Sequence, residues 1–212
     1  MLIESLRKCF SSNKQFAKFA IPLFLDKLES NLESSQLDSL ETFSECSRTT
    51  YDPNEYKAQL EPLLSTMHKI VMNATKTNLE EAALSSLEAM SFSISRTIQF
   101  VDLNAESSNE VSIEWFVNKI AENCLGYLNE PDLKLVWPNV KCLHSVAAAS
   151  STANLLILKK TIPALMKHYE STSFQNQKKT YLDILWQFVG GCFKFDNKGK
   201  ILFIADLKNW SL

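Results

Sequence analysis

Residues 16–28, FAKFAIPLFLDKL, place apolar side chains on two faces of a predicted helix, whereas an ordinary surface helix needs only one. One stripe consists of Phe16, Phe19, Ala20, Leu23 and Phe24, and the second of Ile21, Leu25 and Leu28. Pro22 lies in the helix interior, where a proline removes a backbone donor at a cost of about 3 kcal/mol. We therefore expect neighbouring helices to cover both faces and hold this helix in place.

The same arrangement recurs twice further along the chain. Pro62 lies in EPLL at 61–64, and Pro163 lies in IPALM at 162–166. A second predicted helix with apolar residues at Leu-x-x-(Leu/Met/Phe) spacing follows each of them. This recurrence indicates an internal repeat of helix pairs, in which the prolines bend the first helices.

The 3.6-residue periodicity predicts eight helices in four antiparallel pairs. Their predicted ranges are 14–30, 33–48, from Pro53 onward, 78–98, 112–128, from Asp132 onward, 152–170 and 176–190. The predicted stripes include Tyr56, Leu60, Leu63, Leu64, Met67, Ile70 and Val71 in the third helix, Ile113, Phe116, Val117, Ile120 and Cys124 in the fifth, and Leu133, Val136, Val140, Leu143 and Ala147 in the sixth. A loop is expected at 104–109, and Gly190 and Gly191 are expected to stop the last helix.

The spacing of equivalent positions predicts the repeat type. Leu40, Leu87, Leu143 and Leu185, each in a second helix, are separated by 47, 56 and 42 residues, and the longest interval contains the loop. HEAT-type two-helix repeats run about 40 to 47 residues. We predict an all-α fold, an α-solenoid of about four HEAT-type antiparallel helix pairs at 1–192, with a divergent C-terminal tail at 193–212. A long helical bundle is the alternative, but kinking prolines at matching places suit stacked hairpins better.

Composition narrows the functional classes. The chain has 212 residues, of which 45% are hydrophobic and 22% charged, and its net charge is -2. The longest uncharged apolar run falls far short of the roughly 20 residues that span a bilayer, and no secretory signal is visible. Charges near balance, without a basic cluster, argue against direct nucleic-acid binding. We expect a soluble protein of the cytoplasm and nucleus.

Residues that could carry chemistry are scattered along the sequence. Five cysteines (Cys9, Cys46, Cys124, Cys142 and Cys192) include no Cys-x-x-Cys pair and read as reduced core thiols, because a metal site would need ligands converging from distant helices. The three histidines, His68, His144 and His168, lie on separate helices without metal-ligand spacing, and carboxylate pairs such as Glu80 with Glu81 or Asp38 with Glu41 fit solvated helix faces. We therefore predict no catalytic, cofactor-binding or metal-binding residues and no cofactor, so an enzyme is not expected.

Three segments carry a family resemblance. They are EPDLKLVWP at 130–138, AKFAIPL at 17–23 and QLDSL at 36–40. They resemble the large HEAT-repeat adaptor of the cytosolic iron-sulfur assembly targeting complex, the family named for methyl methanesulfonate sensitivity and nucleotide excision repair (MMS nineteen). The likeness covers residues 1–193. Because family members are several times longer, the chain resembles an internal portion of the solenoid, whether as a fragment, an isoform or a truncated gene model.

The resemblance implies a non-catalytic scaffold that helps deliver iron-sulfur clusters to cytosolic and nuclear apoproteins of DNA replication and repair. Its implied partners are proteins: a WD40 propeller subunit, a small cluster-transfer subunit, and clients such as repair helicase and polymerase subunits. In the family the assembly subunits contact mainly the C-terminal repeats, so this portion is expected to contribute scaffold and client contacts instead. A nuclear-transport-type HEAT receptor is the alternative, since it shares the architecture.

Both ends of the sequence are apolar, at Leu2, Ile3, Leu6 and Phe10 and again at 201–204. Natural solenoid ends carry capping repeats with polar outer faces. At about 25 cal/mol per Å², a few hundred Å² of uncovered apolar area is worth several kcal/mol of burial. We expect the purified 212-residue chain to self-associate. Light scattering tests this, and a monodisperse monomer at high concentration would contradict both the expectation and the reading of the chain as a fragment.

Overall fold

The computed structural model describes residues 8–97, 111–130 and 132–192, and these ranges contain helices and no strand. The predicted loop at 104–109, Pro131 and the tail at 193–212 lie outside the described residues, as do Leu2, Ile3 and Leu6. The α-helices are α1 (Ala17–Leu28), α2 (Glu33–Thr49), α3 (Leu60–Asn73), α4 (Thr77–Thr97), α5 (Ile113–Cys124), α6 (Leu133–Ala148), α7 (Ser151–Ser171) and α8 (Gln175–Cys192). Short 3-10 helices span Lys14–Phe16, Pro53–Gln59 and Leu125–Asn129.

The eight α-helices of the described ranges form four hairpins, α1–α2, α3–α4, α5–α6 and α7–α8, and the two helices of each hairpin pack on one another. The second helices make a continuous row, because α2 contacts α4, α4 contacts α6 and α6 contacts α8. In the row of first helices, α1 contacts α3 and α5 contacts α7. This two-row stack confirms the predicted all-α solenoid of four HEAT-type helix pairs.

Side chains that accept hydrogen bonds from free backbone amides mark several helix starts. Asp52 accepts from the amide of Asn54 at 2.9 Å, and Asp132 accepts from that of Lys134 at 2.9 Å. At the start of α5, Ser112 Oγ accepts from the amide of Trp115 at 3.1 Å. At the start of α7, Ser150 Oγ accepts from the amide of Ala153 at 3.1 Å. These bonds satisfy donors that have no partner inside the helix. The predicted starts at Ser112 and Asp132 are therefore correct to within a residue, whereas Asp52-Pro53 begins the 3-10 helix Pro53–Gln59 and α3 itself begins at Leu60.

The backbone departs from helical geometry at Tyr56 rather than at Pro62, where a kink was predicted. Pro62 is the third residue of α3, within the first turn, where a missing amide costs no helical hydrogen bond. The break lies inside the preceding 3-10 helix, where Tyr56 has φ -129° and ψ 28°. Pro22 and Pro163 do lie inside α1 and α7, so the three prolines do not occupy matching places.

The two apolar faces predicted for α1 are not both buried. Ala17, Ala20, Ile21, Phe24 and Leu28 face the core, whereas Phe19 is 76% exposed and Leu23 45% exposed. Phe24 packs edge-to-face between Phe10 and Phe43, with ring centroids 6.0 and 6.4 Å away. The buried side of α1 thus combines residues from both predicted stripes, because the direction of α2 and α3 selects the face that packs.

Two smaller predictions are also wrong. Leu133, placed in the buried stripe of α6, is 48% exposed, because it occupies the first position of the helix, at the edge of the stack. Gly190 and Gly191 do not stop α8, which continues through both to Cys192. Glycine in a helix interior costs about 1 kcal/mol per residue relative to alanine, which weakens a helix without ending it.

The core is continuous from α1 to α8 and follows the predicted periodicity closely. The seven stripe residues from Tyr56 to Val71 are buried, and so are the predicted residues of α5. Polar side chains add to the core at α4, where Ser86, Ser91 and Ser93 are buried. No described helix is long and apolar enough to cross a membrane.

A matched pair of substitutions on α1 tests which face packs. Phe24→Ala removes a buried ring and should lower the free energy of unfolding by about 3–5 kcal/mol. Phe19→Ala, on the same helix, should change it by no more than about 0.5 kcal/mol because that ring is exposed. Urea denaturation followed by circular dichroism measures both changes. A larger loss for Phe19→Ala than for Phe24→Ala would contradict this packing.

Candidate functional site

One imidazole and two thiols converge where the second hairpin meets the third. His68 of α3, Cys124 at the end of α5 and Cys142 of α6 each place one ligand atom within 4.8 Å of the other two. Both thiols are buried and His68 is half-buried. We call these three residues the thiol–imidazole cluster. Nitrogen and sulfur donors of this kind are the ones that bind zinc and other thiophilic metals in proteins.

A buried asparagine fixes the state of the imidazole. Asn139 of α6 donates from Nδ2 to the carbonyl oxygen of Leu135 at 2.7 Å, so its Oδ1 faces His68 Nε2 at 2.7 Å as an acceptor. A neutral imidazole that donates from Nε2 keeps its lone pair on Nδ1. The Asn139 contact therefore leaves the lone pair of His68 Nδ1 available to a metal ion.

The Cys124 thiol is protonated at neutral pH. A hydrogen bond with Cys142 and the burial of the sulfur both raise the pKa of the Cys124 thiol well above its ordinary value. A thiol is a nucleophile or a metal ligand only as a thiolate. Without a cation to displace its proton, Cys124 is consequently inert.

The sequence-based reading of these cysteines is partly wrong. Cys46, Cys124 and Cys142 are buried as expected, but Cys9 is exposed, and the side chain of Cys192 lies outside the description. Cys124 and Cys142 are not isolated, because α5 and α6 bring them together and α3 adds His68. No spacing rule along one helix could find this set, since its members lie 56 and 18 residues apart.

A second group of titratable side chains lies in the first hairpin region. Burial raises the pKa of Cys46 to about 11 and raises the pKa values of Tyr51 and Tyr56 above that of an ordinary tyrosine. All three groups are thus neutral over the physiological range. They pack the core and supply neither a nucleophile nor a general base there.

The other histidines and the paired glutamates named in the sequence analysis lie in packing contacts, in an ion pair or at the surface. His144 lies against the ring of Phe188 at 6.2 Å, and His168 lies against Tyr181 at 6.0 Å. Glu80 pairs with Lys141 of α6 at 2.7 Å, and Glu81 is exposed. Glu81 thus lies on a solvated helix face, whereas Glu80 is half-buried in an ion pair between helices.

Two clefts lie along one edge of the stack, where first helices turn into second helices. The first, about 530 Å³, lies between the α1–α2 connection and the end of α3, and the second, about 540 Å³, lies between the α3–α4 connection and the start of α6. Ala74 and Thr75 line both clefts. The second cleft combines apolar Leu133 and Trp137 with the cation of Lys134, all from the 130–138 segment that carries the family resemblance.

Alkylation of the native chain tests the thiol environments. With a chelator and a phosphine reductant present at pH 8, iodoacetamide should modify Cys9 first, because it is exposed. Cys46 should react at least about 100-fold more slowly, since a thiol with a pKa of about 11 is only about 0.1% thiolate at that pH and is also buried. Site-resolved mass spectrometry measures each rate, and urea should make the rates equal. Equal rates in the native chain would contradict these burial assignments.

Comparisons with known proteins give a matching family model and several sequence relatives of this chain. A family model described as Dos2-interacting transcription regulator of RNA-Pol-II (MMS19_N) matches residues 1–73. The MMS19 nucleotide excision repair protein homolog of Danio rerio is 35% identical over 189 residues, which is 89% of this chain and 17% of that protein. The Homo sapiens homolog is 32% identical over 188 residues, 89% of this chain and 18% of that protein. The chain therefore spans less than a fifth of the length of the curated relatives it matches.

Among solved structures, a designed armadillo repeat protein in complex with a peptide covers 88% of this chain at 14% identity, with a TM-score of 0.35. A likeness at that level carries no conclusion. The sequence relatives do carry one, because the two named above are more than 30% identical to this chain over 89% of its length. This chain belongs to the MMS19 family.

Proposed function

We propose that this chain is a portion of a non-catalytic scaffold that supports delivery of iron-sulfur clusters to cytosolic and nuclear apoproteins of DNA replication and repair. The observation that carries the proposal is a stack of HEAT-type helix pairs in a chain of the MMS19 family. Since the chain spans only 17–18% of its relatives, the proposal gives it a share of the scaffold and not the whole activity.

The surface of the stack favours protein binding. Each hairpin contributes one helix to each row, so successive hairpins extend both faces and the connecting edge. The two clefts repeat along that edge, and the second offers exposed Leu133 and half-buried Trp137 beside Lys134. Apolar anchors next to a cation suit a client segment that carries apolar and acidic side chains.

The chemistry of the described residues favours a scaffold over an enzyme. Cys46, Tyr51, Tyr56 and Cys124 are held neutral at physiological pH by their surroundings. Glu80 is the one glutamate among the residues that line the second cleft, and its carboxylate is paired with Lys141. Groups arranged in this way bind and pack but do not transfer protons.

The proposed partners are proteins, and no nucleic acid or membrane is invoked. Clients such as a DNA repair helicase or a polymerase subunit would contact this portion, whereas the WD40 propeller subunit and the cluster-transfer subunit would bind elsewhere in the longer scaffold. Those clients work on chromosomal DNA but receive their clusters after synthesis. We accordingly propose that the protein resides in both the cytoplasm and the nucleus.

A binding measurement with the purified 212-residue chain tests the client contact. An apo iron-sulfur helicase should bind with micromolar affinity by biolayer interferometry, and Lys134→Glu in the second cleft should weaken binding at least about tenfold. Lys179→Glu on α8 is the matched control, because it reverses the charge of another exposed lysine far along the stack, and it should leave binding unchanged.

The same measurement separates the scaffold from a transport receptor. A GTP-loaded small GTPase of the nuclear-transport type should not bind. Binding of the GTPase without binding of the helicase would replace the scaffold with the receptor. Absence of helicase binding, or equal losses in the two lysine variants, would remove client binding at the second cleft from the proposal.

A further inference from the structure

We propose that the thiol–imidazole cluster of His68, Cys124 and Cys142 is a binding site for one zinc ion. Each of the three residues offers a ligand atom within 4.8 Å of the other two, from three different helices. This inference departs from the sequence-based prediction that the chain holds no metal. It stands independently of the proposed scaffold function.

The donor set fits a divalent ion in a buried place. Two thiolates and one neutral imidazole around Zn²⁺ give a complex with no net charge, and a buried complex without net charge avoids the desolvation cost of an unpaired ion. A monovalent ion with two thiolates would leave one negative charge buried. Binding releases the two thiol protons to solvent, because a coordinating thiol is deprotonated by the metal.

The distances require only a small contraction. With zinc–sulfur bonds of about 2.3 Å and zinc–nitrogen bonds of about 2.0 Å, tetrahedral ligand atoms lie roughly 3.5–3.8 Å apart. In the structure the three ligand atoms lie up to 4.8 Å from one another, which exceeds the tetrahedral separation by about 1 Å. Rotation of the cysteine side chains about χ1 can supply that movement without moving a helix. Three protein ligands leave the fourth position to water, which can enter beside half-buried His68.

The surroundings of His68 match those of a metal-binding histidine. Such residues donate their second ring N–H to a carboxylate or carbonyl oxygen, which fixes the tautomer and orients the ring. Asn139 Oδ1 lies 2.7 Å from His68 Nε2, and Asn139 is itself held by the carbonyl of Leu135. Nδ1 is therefore the proposed ligand. Asn139 would act as a positioning residue rather than a ligand.

Zinc at this place would join the second and third hairpins. His68 belongs to α3, whereas Cys124 and Cys142 belong to the two helices of the next hairpin. A bond to each of them adds a link across the repeat boundary, where solenoid stability depends on contacts between neighbouring repeats. The expected consequence is a rise in the thermal unfolding midpoint on zinc addition, growing with the free zinc concentration.

The test uses the untagged 212-residue chain with Cys9→Ser and Cys192→Ser, purified anaerobically with a phosphine reductant. This background removes the exposed thiol and the one whose surroundings are not described. Titration with Zn²⁺ against a chromophoric chelator should give one equivalent bound. Co²⁺ should give thiolate-to-metal charge-transfer absorption with the intensity of two thiolates, and Zn²⁺ should displace it. Absence of stoichiometric binding overturns the proposal, as does tight binding of Cu⁺ without Zn²⁺.

Variants in the same background assign the ligands. Cys142→Ser should lower zinc affinity by about 100-fold or more and halve the charge-transfer intensity. Asn139→Ala should lower the affinity about 10- to 100-fold and leave the charge-transfer intensity per bound cobalt unchanged, which a loss of packing alone would not produce. Cys46→Ser is the matched control, a fully buried thiol outside the cluster, and it should retain full affinity.

Circular dichroism checks that each variant is folded. If Cys142→Ser does not fold, His68→Ala replaces it, because His68 is only half-buried, and it should lower the affinity at least about tenfold. Zinc affinity that persists in the folded His68→Ala or Cys142→Ser chain, or that falls equally in Cys46→Ser, would overturn the assignment.

Discussion

The fold depends on the close approach of α4 to α2 and α6, the helices on either side of it in the second row. Short side chains allow that approach. Ser86 Oγ donates to the carbonyl of Leu40 at 2.9 Å, Ser93 to that of Tyr51 at 3.0 Å, and Ser91 to that of Val146 at 3.0 Å. A buried hydroxyl without a partner costs about 1–3 kcal/mol, so these bonds favour this particular register of the row. One helix thereby aligns three hairpins.

The sequence predicts the helices well because local periodicity determines them. In α3 and α5 the predicted apolar residues are the buried ones, since each helix has a single continuous stripe. In α1 periodicity leaves two stripes, and only the positions of α2 and α3 decide that Phe24 is buried and Phe19 exposed. The serines of α4 escape prediction for a related reason. From sequence alone, a serine on a helix face is assigned to solvent, because its acceptor, a carbonyl of another helix, is known only once the helices are packed.

The thiol–imidazole cluster could not be predicted, although each member was noticed. Metal-ligand spacing rules describe residues on one helix or one tight loop, whereas these three ligand atoms meet only once α3, α5 and α6 are packed. The 3-10 helix Leu125–Asn129 and the cap at Asp132 set how α6 returns against α5. The position of α6 along α5 places Cys142 beside Cys124, and no local sequence signature predicts that position.

The cluster and the second cleft share their walls. His68 lies one turn before Val71 and Met72, which line the cleft from α3, and Asn139 follows Pro138, which lines it from α6. The His68–Asn139 contact and the 3.2 Å contact from Asn139 Nδ2 to Met72 Sδ join the two walls directly. A metal ion at the proposed site that orders these contacts between the two walls reduces the conformational freedom that the proposed client must otherwise remove when it binds in the cleft. By thermodynamic linkage, a client that orders the same walls then raises the affinity of the thiol–imidazole cluster for its metal ion by the same factor.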